Sequence, residues 1–161
     1  MSHGLTITKA QSDDCTEIKQ FIIKQAQFHD DANKVTLTDQ LISLYLFDND
    51  PKGYFYWIND DADKIGFVIH SFNFDCYTGT PVFFIEDLFI NPTQRGQGLG
   101  KTVMTILAKM ALEQGCSSMR WHVKEWNDQA KAFYQQLGAT QVTANEYWQL
   151  GKVAIERMIF N

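Results

Sequence analysis

Arg95-Gly96-Gln97-Gly98-Leu99-Gly100-Lys101 lies between an apolar run at 82–90 and an amphipathic stretch at 98–114. A glycine-dense turn that opens a helix lets backbone N–H groups close on an anion. The unpaired donors of the first turn and the positive end of the helix dipole favour negative charge there. The chemistry offered is phosphate binding, and spacing separates the loops that do it. A dinucleotide fingerprint needs G-x-G-x-x-G in an opening βαβ unit, whereas Gly96, Gly98 and Gly100 are one residue tighter and come after residue 90. A P-loop built on Gly100-Lys101-Thr102 requires glycine at 95, where Arg95 stands. A β-to-α connection without a ligand has little use for three glycines in five residues beside a cation.

Periodicity supplies the elements that must position this loop. Leu5, Ile7 and Lys9 alternate as a short strand, and residues 12–14 can cap a helix whose apolar face is Ile18, Phe21, Ile22, Gln25 and Phe28. Residues 38–47 predict a second helix, with Leu41, Leu44 and Tyr45 at helical spacing, and 48–53 a loop by turn chemistry. Residues 54–58 and 65–74 read as an antiparallel hairpin around a turn at 59–64. Residues 82–90 are the strand feeding the loop, followed by a helix at 99–112, a strand at 119–123 and a helix at 128–137. Closing strands are expected near 140–143 and 154–160. The sum is an α/β fold, a mixed central sheet flanked by helices, with no repeat or internal linker.

Composition agrees with one domain over residues 1–161, long enough to bury roughly two thirds of its unfolded surface. A hydrophobic share of 45% excludes disorder, and a net charge of −5 argues against nucleic acid as a partner. No apolar stretch approaches the ~20 residues of a membrane span, and residues 1–14 lack the pattern of a signal peptide, so a cytoplasmic location is expected. Cys15, Cys76 and Cys116 are an odd number without metal-ligand spacing and read as reduced thiols. No metal site is expected from the histidines and acids. His3 is terminal, His70 reads as a packed strand histidine, and His122 alternates with apolar neighbours on another strand.

The pattern R-x-x-G-x-G at 95–100 resembles the pyrophosphate loop of the GNAT N-acetyltransferase superfamily, whose acetyl donor is acetyl-CoA, and the element order resembles that fold from end to end. Residues 85–90 (Ile-Glu-Asp-Leu-Phe-Ile), Cys116-Ser117-Ser118-Met119 and Glu125-Trp126-Asn127 followed by Phe133-Tyr134 are similar to the diamine acetyltransferases of the spermidine/spermine type, which include thialysine acetyltransferases. The first 80 residues match loosely. The resemblance implies transfer of acetyl from acetyl-CoA to a primary amine of a small cationic substrate: a diamine, a polyamine or a thialysine-like amino acid. It also implies a homodimer.

Such chemistry makes two demands. An alkylammonium of pKa ~10.4 costs ~4 kcal/mol to deprotonate near pH 7.4. Glu86, beside the loop, is the candidate acceptor of that proton, directly or through a water; read alone it is first a structural strand carboxylate paired with a nearby Lys or Arg, and the resemblance is what favours the proton role. In a regular strand Asp87 points to the opposite face, so one acid of the two is expected to face the substrate. The second demand is a proton for the leaving thiolate. Tyr134 matches the family's general acid, although a helical tyrosine is ordinarily a packing residue. Backbone N–H groups of Leu88 and Ile90 can polarise the acyl carbonyl where the family's sheet splays.

The resemblance assigns cosubstrate binding to Leu88, Phe89, Ile90, Arg95, Gly96, Gln97, Gly98, Leu99, Gly100 and Lys101, with Asn127 and Tyr134 nearby; Asn127 is also a helix cap by type. Direct attack is expected, since neither Cys76 nor Cys116 has an activating environment and a helix end should raise the Cys116 pKa. For the amine, Asp75 and Tyr77 fall where the family places an acid and an aromatic, while Asp75 as a turn cap is the plain alternative. The family's glutamate after the first helix aligns with His29, leaving Asp30 or Asp31 to replace it. Two other functions fit the same residues: a GNAT enzyme acting on a protein amine, and an acyl-CoA-binding regulatory module that would tolerate loss of Glu86 and Tyr134.

Overall fold

Four consecutive strands pair antiparallel and a fifth joins them parallel, giving the sheet order β1-β2-β3-β4-β5. The computed structural model describes residues 4–96, 98–142 and 149–160, which fall into two compact units, Met1–His122 and Val123–Asn161.

The first unit holds β1 (Leu5–Lys9), α1 (Cys15–Phe28), α2 (Asp39–Leu46), β2 (Tyr54–Asp60), β3 (Asp63–Asp75), β4 (Thr80–Ile90), α3 (Leu99–Glu113) and β5 (Ser118–Trp121). Short 3-10 turns precede α1 and α3, and Thr38 caps α2 by accepting from the Leu41 N–H at 3.2 Å. The crossover from β4 to the parallel β5 needs a long connection, which α3 provides. β5 ends at Trp121, two residues short of the expected strand.

The apolar stripe of α1 packs on one face of the sheet. Ala10, Cys15, Ile18, Ile42, Phe55, Trp57, Phe67 and Phe89 form its buried core, each large side chain contributing about 1.5–3 kcal/mol of burial. Alternation turns Tyr54, Tyr56, His70, Phe72 and Phe83 to the other face, where they share a cleft of about 320 Å³ with Met110, Glu113 and Gln114 at the end of α3. β3 and β4 approach closely at Gly66, where any Cβ would collide with the Phe89 carbonyl oxygen.

The second unit contains α4 (Asp128–Gln136) and α5 (Lys152–Phe160). Here the expected closing strands are corrected. Residues 140–142 are irregular, Thr143 lies outside the described residues, and 154–160 are helical. The reason is local: the Gly151 carbonyl accepts from the Ala154 and Ile155 N–H groups, and Lys152 lies 3.8 Å from Glu156 one turn on. A strand would need a pairing partner, and the described residues of this unit include none. Among the described residues no helix is long and apolar enough to cross a membrane, and no cluster of three His, Cys, Asp or Glu side chains could hold a metal.

Candidate active site

β4 carries the site's geometry through two irregularities. The first is a bulge. Ile69 pairs with Asp87 and His70 with Ile85, so Glu86 is an extra residue without a partner in the ladder. A bulge breaks the alternation on which the sequence expectation for Asp87 rests. The Glu86 carboxylate accepts from Ser71 Oγ at 2.6 Å, and Asp87 accepts from Gln25 of α1. Ser71 shares a face of β3 with Ile69, which packs into the α1 core. Both acids therefore lie on the α1 side, and the expectation of opposite faces is overturned.

Their environments differ. Glu86 is exposed, whereas Asp87 is half-buried beside the buried Gln25. Burial pushes the Asp87 carboxyl up, the Glu86 charge adds to this, and bonds from Gln25 and the Leu88 N–H with the charge of His29 only partly oppose it.

The second irregularity is an open edge. β5 pairs with β4 only from Val82 to Ile85, leaving the strand uncovered by β5 beyond that point. The Asn91 N–H donates to the Ile65 carbonyl at 2.8 Å, so at the next non-hydrogen-bonded pairs, Gly66 with Ile90 and Val68 with Leu88, it is Ile90 and Leu88 that turn their N–H and C=O groups to the β5 side. Arg95 Nε confirms that direction by donating to the Ile90 carbonyl at 3.0 Å. The Leu88 N–H is 3.1 Å from Asp87 Oδ1 in this structure. Phe89, between them, is buried in the α1 core and offers no side chain to this edge.

The described part of the loop leaves open space beside the first turn of α3. Gly96 has φ +91° and Gly98 φ +76°, left-handed conformations that favour glycine, and a Cβ at either would meet nothing within 4 Å. No side chain caps α3 at Gly98. Among the described residues the first helical bond runs from the Thr102 N–H to the Gly98 carbonyl, so the N–H groups of Leu99 and Gly100 are first-turn donors without an intrahelical acceptor. Arg95 stands beside them, its guanidinium 4.5 Å above the Phe28 ring. Gln97 lies outside the described residues.

The remaining candidates separate. Asp30, with φ +57°, ends α1 in a left-handed turn, and Asp31 is paired with Lys34. Asp75 accepts from the Tyr77 and Thr78 N–H groups and from Arg120 at 2.7 Å, which lower its pKa and match the turn-cap alternative. Tyr77 is 97% exposed. In the second unit Asn127 Oδ1 accepts from the Ala130 N–H at 3.1 Å and so caps α4. Tyr134 is half-buried on that helix, and burial raises its pKa.

His70 is packed as expected. It is 3% exposed, stacked 4.1 Å from Phe83, and desolvated down to a pKa of about 4. Burial, rather than the helix end, raises the Cys116 thiol; Cys76 is exposed. Sequence reasoning missed the roles of Gln25, Ser71 and Phe28. Gln25 left a signal, being an amide on an otherwise apolar helix stripe.

A family model of acetyltransferases, the GNAT family, matches residues 15–139. The chain belongs to the acetyltransferase (GNAT) family. The acetyltransferase is similar to the thialysine N-epsilon-acetyltransferase of Mus musculus, 28% identical over 152 residues covering 88% of each chain. It is 36% identical to an L-ornithine N5-acetyltransferase of Arabidopsis thaliana over 80 residues, 50% of this chain and 35% of that one. Among solved structures, an integron cassette protein of V. cholerae superposes with a TM-score of 0.79 at 19% identity, over 98% of both chains. An aminoglycoside acetyltransferase from a soil metagenome gives 0.75 at 19%, covering 91% of this chain and 97% of that one. Both likenesses show the same fold.

Proposed function

We propose that this acetyltransferase moves acetyl from acetyl-CoA directly to a primary amine of a small cationic substrate: a diamine, a polyamine or a thialysine-like amino acid. Residues 1–161 act as one catalytic domain. The observation that carries the reading is the bulge, which sets two acids on one face of β4 beside an open strand edge and an anion-fitting loop. The thialysine and ornithine acetyltransferases among the relatives support an amino-acid or diamine acceptor.

Acetyl-CoA supplies an acyl thioester, a carbonyl open to an uncharged amine. Around it, the first-turn N–H groups of α3, Gly96, Gly98 and Arg95 hold the diphosphate. Leu88 and Ile90 present N–H groups to the acyl oxygen, and Leu88 must first give up its bond to Asp87. Glu86 accepts the ammonium proton, with Ser71 orienting it. Tyr134, kept protonated by burial, returns a proton to the thiolate. Of the two acids after α1, Asp30 serves a second cationic group, whereas Asp31 is paired with Lys34 and Asp75 is engaged by its own turn and Arg120.

The test is thiol release from acetyl-CoA across a panel of thialysine, lysine, ornithine, putrescine, spermidine and an amino-terminal peptide. Turnover on the small amines is expected. Turnover on the peptide alone refutes the small-substrate reading, and no turnover on any amine refutes the whole.

A further inference from the structure

Phe28 ends α1, 50% exposed, and its ring lies under the guanidinium of Arg95, whose Cζ is 4.5 Å from the ring centroid. The same guanidinium donates through Nε to the Ile90 carbonyl at 3.0 Å. These two contacts use the face and one edge of a planar group whose other N–H groups lie along its remaining edges. An arginine left free in solvent must surrender its rotamers when it meets an anion. Here a residue from a different element has already restrained it.

The contact also joins two regions that the sequence keeps apart. Phe28 immediately precedes His29 and the left-handed turn at Asp30, where the Asp31 N–H donates back to the Ala26 carbonyl at 2.8 Å. Phe28 also meets the His29 ring edge-on at 5.3 Å. A restraint on Arg95 is therefore a restraint on the segment bearing Asp30 and Asp31.

We infer that Phe28 is a positioning residue for the cosubstrate: it holds Arg95 ready for the diphosphate without itself touching it, and ties the end of α1 to that event. This inference rests on the acetyl-CoA reading.

Calorimetry with coenzyme A on the wild type, Phe28→Leu, Arg95→Lys and the double variant tests it. Phe28→Leu should weaken binding roughly two- to thirtyfold, the span of a cation–π contact from exposed to desolvated. In the Arg95→Lys background the same change should cost less than half as much on a logarithmic scale, because the planar stack is already gone. Phe28→Tyr, which keeps the ring, should restore affinity to within about twofold of the wild type. Equal losses in both backgrounds, or no loss, overturn the inference while leaving the functional reading intact. Phe28→Met fills similar space without a ring and replaces the leucine variant should that one fail to fold. No heat from wild-type protein refutes the functional reading and this inference with it.

Discussion

Gly98 and Gly115 sit at opposite ends of α3 with nearly the same backbone, φ +76° and +73°, and a Cβ at either meets nothing within 4 Å. Alanine at each position therefore introduces left-handed strain without a clash, costing about 1–2 kcal/mol. For a chain of this size that lowers Tm by about 2–8 °C, equally for Gly98→Ala and Gly115→Ala. The open space at Gly98 is where the proposed diphosphate lies, so only there does the methyl group compete with a ligand. Gly98→Ala should raise the Kd for coenzyme A by about tenfold or more, ~1.4 kcal/mol, while Gly115→Ala stays within about twofold. Thermal melts give the first quantity and calorimetry the second. Two variants with matched melting and matched coenzyme affinity would refute the assignment of the loop, because strain alone would then account for everything Gly98 does.

Asp87→Asn keeps an acceptor for Gln25 and Leu88 but removes a half-buried charge. The folded pKa lies above the unfolded value of 3.8, so ionisation costs stability above the folded pKa and nothing below 3.8. The variant should be more stable than wild type to urea at pH 7, with the gap closing as pH falls toward 3.8; a gap independent of pH would contradict the burial argument. Glu86→Gln should shift the pH–rate profile on the best small amine, and an identical profile would remove Glu86 as proton acceptor. Tyr134→Phe should lower turnover by roughly ten- to ten-thousandfold with coenzyme A affinity near wild type, and unchanged turnover would exclude it as the acid.

The strand-loop-helix at 80–113 could be read from sequence because two strong local signals agree there: a long apolar run, and glycines at positions that adopt positive φ. The hairpin of β2 and β3 was equally visible by alternation. What escaped depends on pairing. One additional residue in β4 leaves no trace in composition, yet it reverses the side on which Glu86 meets its neighbours. The open edge follows from where β5 stops, which Met119 and Trp121 do not announce. Residues 152–160 mix Val153, Ile155 and Ile159 with Ala154, Glu156 and Met158, and such a segment takes its form from whether a strand is present to pair with it. Gln25 was visible as an intruder on the α1 stripe, but its purpose needed Asp87 across the gap.

Inserted length has a chemical effect of its own in β4. Excising a single residue between Ile85 and Leu88 would return the ladder to an even pitch, and whichever acid survived would stand alone toward α1. The number of carboxylates on that surface is thus written in strand registration, so a chain of almost unchanged composition would present one acid there in place of two.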